Sequence, residues 1–120
     1  MLFRSLKTHK FIRVNYPGGD MIGHTAKMQP TIVALEAIDI QLQRLAAAVN
    51  AAKGMMIITA DHGNAEQLIS PDGRPQTSHS TNPVPCIFYD NTENRTKYQL
   101  ANISNPGLAN IAATVATLLD

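Results

Sequence analysis

A helical pattern followed at once by a short apolar run constrains the fold of this chain more than any other feature. Between residues 30 and 52, apolar side chains recur every three or four positions. Alanine, the best helix former, fills much of the remainder, and Pro30 suits the first turn of a helix. The recurring positions are Ile32, Leu35, Ile38, Leu42, Leu45 and Val49. We therefore predict a helix over residues 30–52, with this stripe packed against a sheet and Gly54 ending the helix.

Short runs rich in β-branched and apolar residues predict the strands of that sheet. Residues 11–16 form one such run, which a Pro-Gly-Gly turn then stops. Residues 55–59 are continuously apolar, which is typical of a strand buried on both faces of a parallel sheet. With the helix between them, the two runs predict a right-handed βαβ unit with parallel strands. A third strand is predicted at residues 86–89, and a final helix near the C-terminus.

Composition and charge limit the classes of function. Lysine and arginine total 10 and aspartate and glutamate total 9, without any basic run, so a nucleic-acid partner is not expected. No apolar run approaches the roughly 18 residues of a membrane span, and residues 1–10 lack the apolar core of a secretory signal. The single cysteine, Cys86, is expected to be a small buried hydrophobe in a reducing compartment. We predict a cytoplasmic chain with an irregular segment at residues 1–10 and a folded part at residues 11–120.

An adjacent Asp61 and His62 follow the predicted strand at residues 55–59. In open α/β sheets, ligands bind just past the carboxyl ends of the strands. Carboxylate oxygen and imidazole nitrogen placed there suit Zn²⁺, Mn²⁺ or a similar divalent ion, and Gly63 lets the backbone turn behind them. The competing interpretation is a plain Asp-His-Gly turn with His62 at the surface.

A second pair of candidate ligands, Asp20 and His24, follows the predicted first strand. These residues are four apart, so on a helical turn they lie on one face and can hold one ion. His79 lies on a loop a few residues before the predicted third strand, from which it can reach over the sheet end. The competing interpretations are an N-cap Asp20, a loop His24 and a surface His79. The predicted topology favours metal binding, because it brings the Asp20 and Asp61 pairs to neighbouring strand ends.

Three separated motifs resemble signatures of the cofactor-independent phosphoglycerate mutases, in the same order and with similar spacing. They read NYPGGDMIGHT at residues 15–25, TADHGNAE at residues 59–66 and SHSTNPVP at residues 78–85. PGLANIAAT at residues 106–114 is similar to the last helix of that family. The resemblance covers residues 11–119 and identifies the chain as the C-terminal part of such a metal-dependent phosphatase or mutase domain.

The resemblance implies a fold, a reaction and a metal site. The fold would be α/β and alkaline-phosphatase-like, with a partial, mostly parallel sheet and flanking helices. The reaction would be the glycolytic interconversion of 3-phosphoglycerate and 2-phosphoglycerate, an isomerisation that passes through a phosphoserine. Two divalent ions would be bound, with Mn²⁺ expected and Zn²⁺ as the alternative. Asp20, His24 and His79 would hold one ion, and Asp61 and His62 would supply two ligands of the other.

The departures from the family limit what this chain can do alone. The serine nucleophile, a further aspartate ligand and the substrate clamp match nothing on this chain, so we assign no catalytic or substrate-binding residue. Ala26 stands where the family often has glycine. We expect the isolated chain to be inactive and to need an N-terminal half. The alternatives are a catalytically silent module that binds one ion or none, and a phosphatase-like hydrolase that acts with a partner chain.

Overall fold

The computed structural model describes residues 5–120, so the first four residues of the predicted irregular segment lie outside the described part. Residues 5–9 form a single turn, in which the Thr8 and His9 amides both donate to the carbonyl of Ser5 at 3.0 Å. The regular elements follow in chain order: α1 (Gly18–Gly23), α2 (Met28–Ala51), β1 (Met55–Thr59), β2 (Cys86–Asp90), a 3₁₀ helix (Glu93–Thr96) and α3 (Asn110–Leu119).

The long helix α2 confirms the main sequence prediction, shifted by one or two residues at each end. Its C-terminus is closed by two backbone bonds, from the Gly54 amide to the Val49 carbonyl and from the Lys53 amide to the Asn50 carbonyl, each 3.0 Å. This pattern is the Schellman motif, which requires a left-handed residue just past the helix. Lys53 takes that conformation with φ of 54°. The predicted termination at Gly54 is therefore one residue late.

The two strands pair with each other in antiparallel register. Ile57 lies opposite Phe88, and Thr59 at the end of β1 lies opposite Cys86 at the start of β2. β2 confirms the predicted strand at residues 86–89 and extends it by one residue. Because the pairing is antiparallel, the chain leaves β1 and enters β2 at the same edge of the sheet.

The predicted strand at residues 11–16 is wrong, and with it the parallel βαβ unit. These residues have no regular structure, and Phe11 is 54% exposed. Within residues 5–120 the sheet contains only β1 and β2. A β-forming sequence needs a neighbouring strand to pair with its backbone hydrogen-bonding groups and a layer to cover its side chains. Residues 5–120 contain no strand beside residues 11–16. The broader α/β class stands, since helices and a sheet both form.

Little of the apolar surface is covered in this fold. The buried hydrophobic side chains of the described residues are Leu45, Val49 and Leu68, whereas Ile32 and Leu35 of the predicted core stripe are exposed. The radius of gyration of 16.5 Å exceeds the roughly 13–14 Å usual for a chain of this length. Full burial of the α2 stripe is therefore confined to Leu45 and Val49, near its C-terminal end.

One smaller expectation also changes. Cys86 is exposed at the start of β2 and is not the buried hydrophobe that its apolar neighbours suggested, because the described sheet has no further strand or layer over this position. Ala26 takes a left-handed conformation with φ of 51°, which explains why glycine suits this turn. No helix within residues 5–120 combines the length and the apolarity needed to cross a membrane.

Candidate metal centre

The short helix α1 presents Asp20 and His24 on one face. The amide of Met21 donates to the Pro17 carbonyl at 2.9 Å, and the amide of His24 donates to the Asp20 carbonyl at 3.1 Å. These bonds keep residues 20 and 24 one turn apart, so that both side chains point the same way. The predicted helical arrangement of this pair is therefore observed, although α1 follows an irregular segment and not a strand.

His79 reaches the same place from the loop that precedes β2. The Ser80 amide donates to the Gly63 carbonyl at 2.9 Å, in an isolated antiparallel bridge between the two loops. The bridge places His79 next to His62, which follows β1. Their imidazole rings are stacked, with centroids 3.5 Å apart and planes 16° from parallel.

Three ligand-type atoms converge at the centre of this arrangement. Asp20 Oδ1 lies 3.1 Å from His24 Nε2 and 3.1 Å from His79 Nε2, and the two imidazole nitrogens are 3.2 Å apart. Neighbouring ligands of an ion bound at about 2.0–2.2 Å are roughly 2.8–3.6 Å apart in octahedral or tetrahedral geometry. The spacing of these atoms therefore fits ligands that share one divalent ion.

The other two predicted ligands differ in their positions. His62 Nε2 is 3.9 Å from Asp20 Oδ1, and Asp20, His62 and His79 offer atoms that all lie within 4.8 Å of one another. Asp61 lies at the rim, with its carboxylate 3.7 Å from His62 Nε2 and its side chain 86% exposed. The fold thus brings four of the five predicted residues together and leaves Asp61 beside them in solvent.

Backbone carbonyls set the tautomers of two of the imidazoles. His24 Nδ1 lies 2.6 Å from the Thr77 carbonyl, and His62 Nδ1 lies 3.3 Å from the Gly63 carbonyl. A carbonyl oxygen only accepts, so each Nδ1 carries the hydrogen and each neutral ring keeps its lone pair on Nε2. Lone pairs and a carboxylate that face one point repel each other unless a cation or a proton lies between them. The donor set therefore fits a divalent cation.

The family of the chain follows from comparison with known proteins. Residues 2–120 match the profile of the metalloenzyme superfamily. The chain belongs to the metalloenzyme superfamily. This membership and the similarity to a solved phosphoglycerate mutase structure confirm the predicted alkaline-phosphatase-like α/β class. Membership also implies that divalent metal ions are bound.

The relatives of this chain are considerably longer proteins. It is similar to the 2,3-bisphosphoglycerate-independent phosphoglycerate mutase of Gracilaria tenuistipitata var. liui, with 43% identity over 113 residues, 94% of this chain and 22% of the relative. The protein of the same name from Trypanosoma brucei brucei is 38% identical over 130 residues, 96% of this chain and 23% of the relative. These matches confirm the predicted resemblance, and the chain spans about a fifth of the length of either protein.

A solved structure agrees with the sequence comparison. The metalloenzyme is similar to a crystal structure of Leishmania mexicana phosphoglycerate mutase at low cobalt concentration, with a TM-score of 0.75 and 32% identity. The match covers 98% of this chain and 24% of that chain. The arrangement of helices and strands described above is therefore shared with part of a larger protein.

Sequence reasoning assigned no role to two residues that lie around the imidazoles, Asn64 and Glu66. Asn64 is 5% exposed, and its Nδ2 lies 3.4 Å from His24 Nδ1; since both nitrogens carry hydrogens, this is a packing contact and not a hydrogen bond. Its Oδ1 is buried with no hydrogen-bond partner in the described part of the chain. Gly23 leaves room for this amide, because a Cβ at position 23 would overlap Asn64 Oδ1. The motif at residues 59–66 contained Asn64, but nothing in the sequence showed which side chain it would approach.

Glu66 is a second residue of that motif whose role appears only in three dimensions. Its Oε1 accepts hydrogen bonds from Ser80 Oγ and from Asn82 Nδ2, the latter at 2.9 Å. Its Oε2 accepts from the backbone amide of Asn64 at 2.7 Å. The Ser80 bond is the largest of the influences that lower the pKa of this carboxyl, from 4.5 to about 2. The carboxylate thus stays ionised well into the acidic range.

The lowered pKa of Glu66 gives a pH-dependent contribution to stability with a definite sign. Because the folded pKa lies below the ordinary value, this contribution is complete above about pH 4.5 and is lost as the pH falls toward about 2. We expect Glu66→Gln to lower the free energy of unfolding by about 1 kcal/mol at neutral pH, given the exposure of the group. The difference from wild type should shrink between about pH 4.5 and 2.5. Urea titrations of both proteins across this range measure it, and a constant difference would contradict the assignment.

Proposed function

We propose that this metalloenzyme is the C-terminal part, over residues 11–120, of a cofactor-independent phosphoglycerate mutase. The enzyme would interconvert 3-phosphoglycerate and 2-phosphoglycerate in cytoplasmic glycolysis, through a phosphoserine whose serine is not on this chain. The observation that carries the proposal is the convergence of Asp20 Oδ1 with His24 Nε2 and His79 Nε2 at 3.1–3.2 Å. Similarity to longer proteins that carry this name supports the choice of reaction.

The proposed metal ligands are Asp20, His24 and His79 for one ion, with His62 and Asp61 contributing to a second. A mixed nitrogen and oxygen donor set suits Mn²⁺ or Zn²⁺ better than Mg²⁺, and the family resemblance favours Mn²⁺ of the two. Bound cations would stabilise charge on a transferring phosphoryl group and lower the pKa of an attacking hydroxyl. The chain's own part is to hold its neutral imidazoles and one carboxylate at a fixed spacing, with His24 oriented by the Thr77 carbonyl at 2.6 Å.

The proposed partner of this chain is the N-terminal remainder of the same kind of enzyme. Large apolar side chains that a folded domain normally covers are exposed on α2 and in the segment before α1. They include Phe11, Val14, Ile32, Val33, Leu35 and Ile40. Within residues 5–120, the β-forming sequence at 11–16 also has no neighbouring strand. A chain that brings further strands and an apolar layer would cover both features at once.

Complementation tests the proposed function directly. The part of the Gracilaria tenuistipitata mutase that this chain does not match is co-expressed with the chain, and turnover of 3-phosphoglycerate is followed through coupled enolase. We expect no turnover from the chain alone, because the serine nucleophile and the substrate clamp are supplied by the other part. Turnover should appear only with both parts and Mn²⁺ present.

The control for complementation is a chain whose metal centre is disabled. Co-expression with His79→Ala should restore no turnover, while co-expression with His9→Ala should match wild type, since within residues 5–120 the hydrogen bonds of the His9 imidazole are with Ser5 and Thr8 in the N-terminal turn. Turnover by the purified chain alone would contradict the proposal. Restored turnover with His79→Ala would show that the activity does not depend on this centre.

A second candidate is a catalytically silent module that binds one ion. The rim position of Asp61, 86% exposed, favours it, because the second ion would then lack a firmly held carboxylate on this chain. The two functions differ in the complementation experiment, since a silent module binds Mn²⁺ but restores no turnover.

A further inference from the structure

A single carboxylate ties together the two loops that carry His62 and His79. Glu66 lies on the loop after β1, four residues beyond His62. Its Oε1 accepts from Ser80 Oγ and from Asn82 Nδ2 on the other loop, while its Oε2 accepts from the Asn64 amide on its own loop. Ser80 is the residue directly after His79, and Asn64 is two residues after His62. The carboxylate therefore connects the immediate neighbourhoods of both imidazoles.

Although Glu66 is exposed, its carboxylate packs closely against Gly63, which limits how far the two loops can shift. Gly63 is buried, and a Cβ there would collide with Ser80 Oγ and with Glu66 Oε1. The Ser80 amide donates to the Gly63 carbonyl at 2.9 Å beside it. Asn82 Nδ2 also donates to Gln67 Oε1 at 3.0 Å, which adds a further bond between the same loops. The carboxylate, the backbone bridge and the amide together hold one loop against the other.

We propose that Glu66 is a positioning residue that fixes His79 opposite Asp20 and His24 and thereby sets the affinity of the metal centre. The inference rests on the proposed function, in which those residues hold an ion. The partners of Glu66 are Ser80, Asn82 and Asn64, so its effect on His79 passes through Ser80 and not through direct contact. Groups that orient the ligands of a metal are typically worth about 10–100-fold in affinity.

The test compares two carboxylates with similar bonding and different connections. Asp72 also accepts three hydrogen bonds, from Ser70 Oγ at 2.6 Å and from the amide and Nε of Arg74 at 3.3 and 2.6 Å, but it closes only its own turn. The Mn²⁺ affinity of the full 120-residue chain is measured by calorimetric titration for wild type, Glu66→Ala and Asp72→Ala. We expect about 10-fold or greater weakening in Glu66→Ala. Asp72→Ala should stay within about twofold of wild type.

A second measurement follows the loops without any metal. Exchange of the Ser80 amide hydrogen, which is bonded to the Gly63 carbonyl, reports whether the two loops separate. We expect at least about tenfold faster exchange in Glu66→Ala and unchanged exchange in Asp72→Ala. Glu66→Gln should fall between wild type and Glu66→Ala in both measurements, because its single amide oxygen can accept from one loop only.

The outcomes separate this inference from the proposed function. If wild type binds Mn²⁺ and the two alanine variants lose equal affinity, the positioning role is wrong while the metal centre stands. If wild type binds no Mn²⁺, the proposed metal centre is wrong. Hydrogen exchange of the Ser80 amide then tests by itself whether Glu66 holds the two loops together. Faster exchange in Glu66→Ala alone supports that connection, and equal exchange in both variants overturns it.

Discussion

Replacing His24 or His79 with alanine should abolish tight Mn²⁺ binding to the isolated chain. Each imidazole supplies one of the three atoms that lie 3.1–3.2 Å apart, so either substitution leaves two of these atoms, with His62 Nε2 farther off at 3.9 Å from Asp20 Oδ1. Since groups that merely orient ligands cost about 10–100-fold, loss of a ligand should cost at least about 100-fold in affinity. Calorimetric titration of wild type should show about one tight site per chain.

Two further histidine variants and one aspartate variant calibrate that result. His9→Ala should bind like wild type, because His9 lies in the N-terminal turn. Asp61→Ala should change affinity by a few-fold at most, given its exposure at the rim. His62→Ala should lie between these extremes, because His62 stacks on His79 at 3.5 Å and its Nε2 is 3.9 Å from Asp20. If His62→Ala abolished Mn²⁺ binding while His24→Ala still bound Mn²⁺, the assignment of these ligands to the two ions would be wrong.

Saturating Mn²⁺ should raise the midpoint of thermal unfolding by about 10 °C. An ion at about 100 times its dissociation constant stabilises the folded state by about 2.7 kcal/mol, and about 3–6 °C per kcal/mol is expected for a chain of this length. The effect should be prominent here, because few apolar side chains are buried and the ion would join segments far apart in sequence. Differential scanning calorimetry with and without Mn²⁺ measures the shift.

The control for the thermal shift uses the same centre. EDTA should reverse the shift, and the His79→Ala variant should show almost none of it. An equal shift in His79→Ala would mean that Mn²⁺ stabilises the fold from another site. Added salt should change the unfolding midpoints of wild type and His79→Ala equally, so the difference between their shifts reports metal binding at this centre.

The sequence predicted α2, β1 and β2 because each carries its own local signal. The apolar residues of α2 recur every three or four positions, and β1 is a short apolar run. Both patterns are local, so they can be recognised without knowing which distant residues pack against them. The pairing of strands was not predictable in the same way, since it depends on which strands are present. Residues 11–16 have the composition of a strand and still form none, because no described strand lies beside them.

The candidate ligands were predictable by residue type, but their grouping was only partly so. Asp20 and His24 are four apart in sequence, so a helical turn was enough to place them together. The meeting of His79 with this pair was expected from the resemblance and not from any local pattern. Asp61 is adjacent to His62 in sequence, but its side chain points into solvent. Adjacency in sequence does not show whether two side chains point to the same place.

The antiparallel register has a consequence for the order in which this molecule folds. Asp20 and His79 are 59 residues apart, and His24 and Thr77 are 53 apart, so the loop that carries His79 joins the centre through long-range contacts. Residues 60–85 begin and end at the same end of the sheet, so pairing of β1 with β2 brings the loops of His62 and His79 together. Closing such loops is the slow, entropically costly part of folding. Capture of a metal ion by a refolding chain would therefore mark the last step, and its rate would report strand pairing.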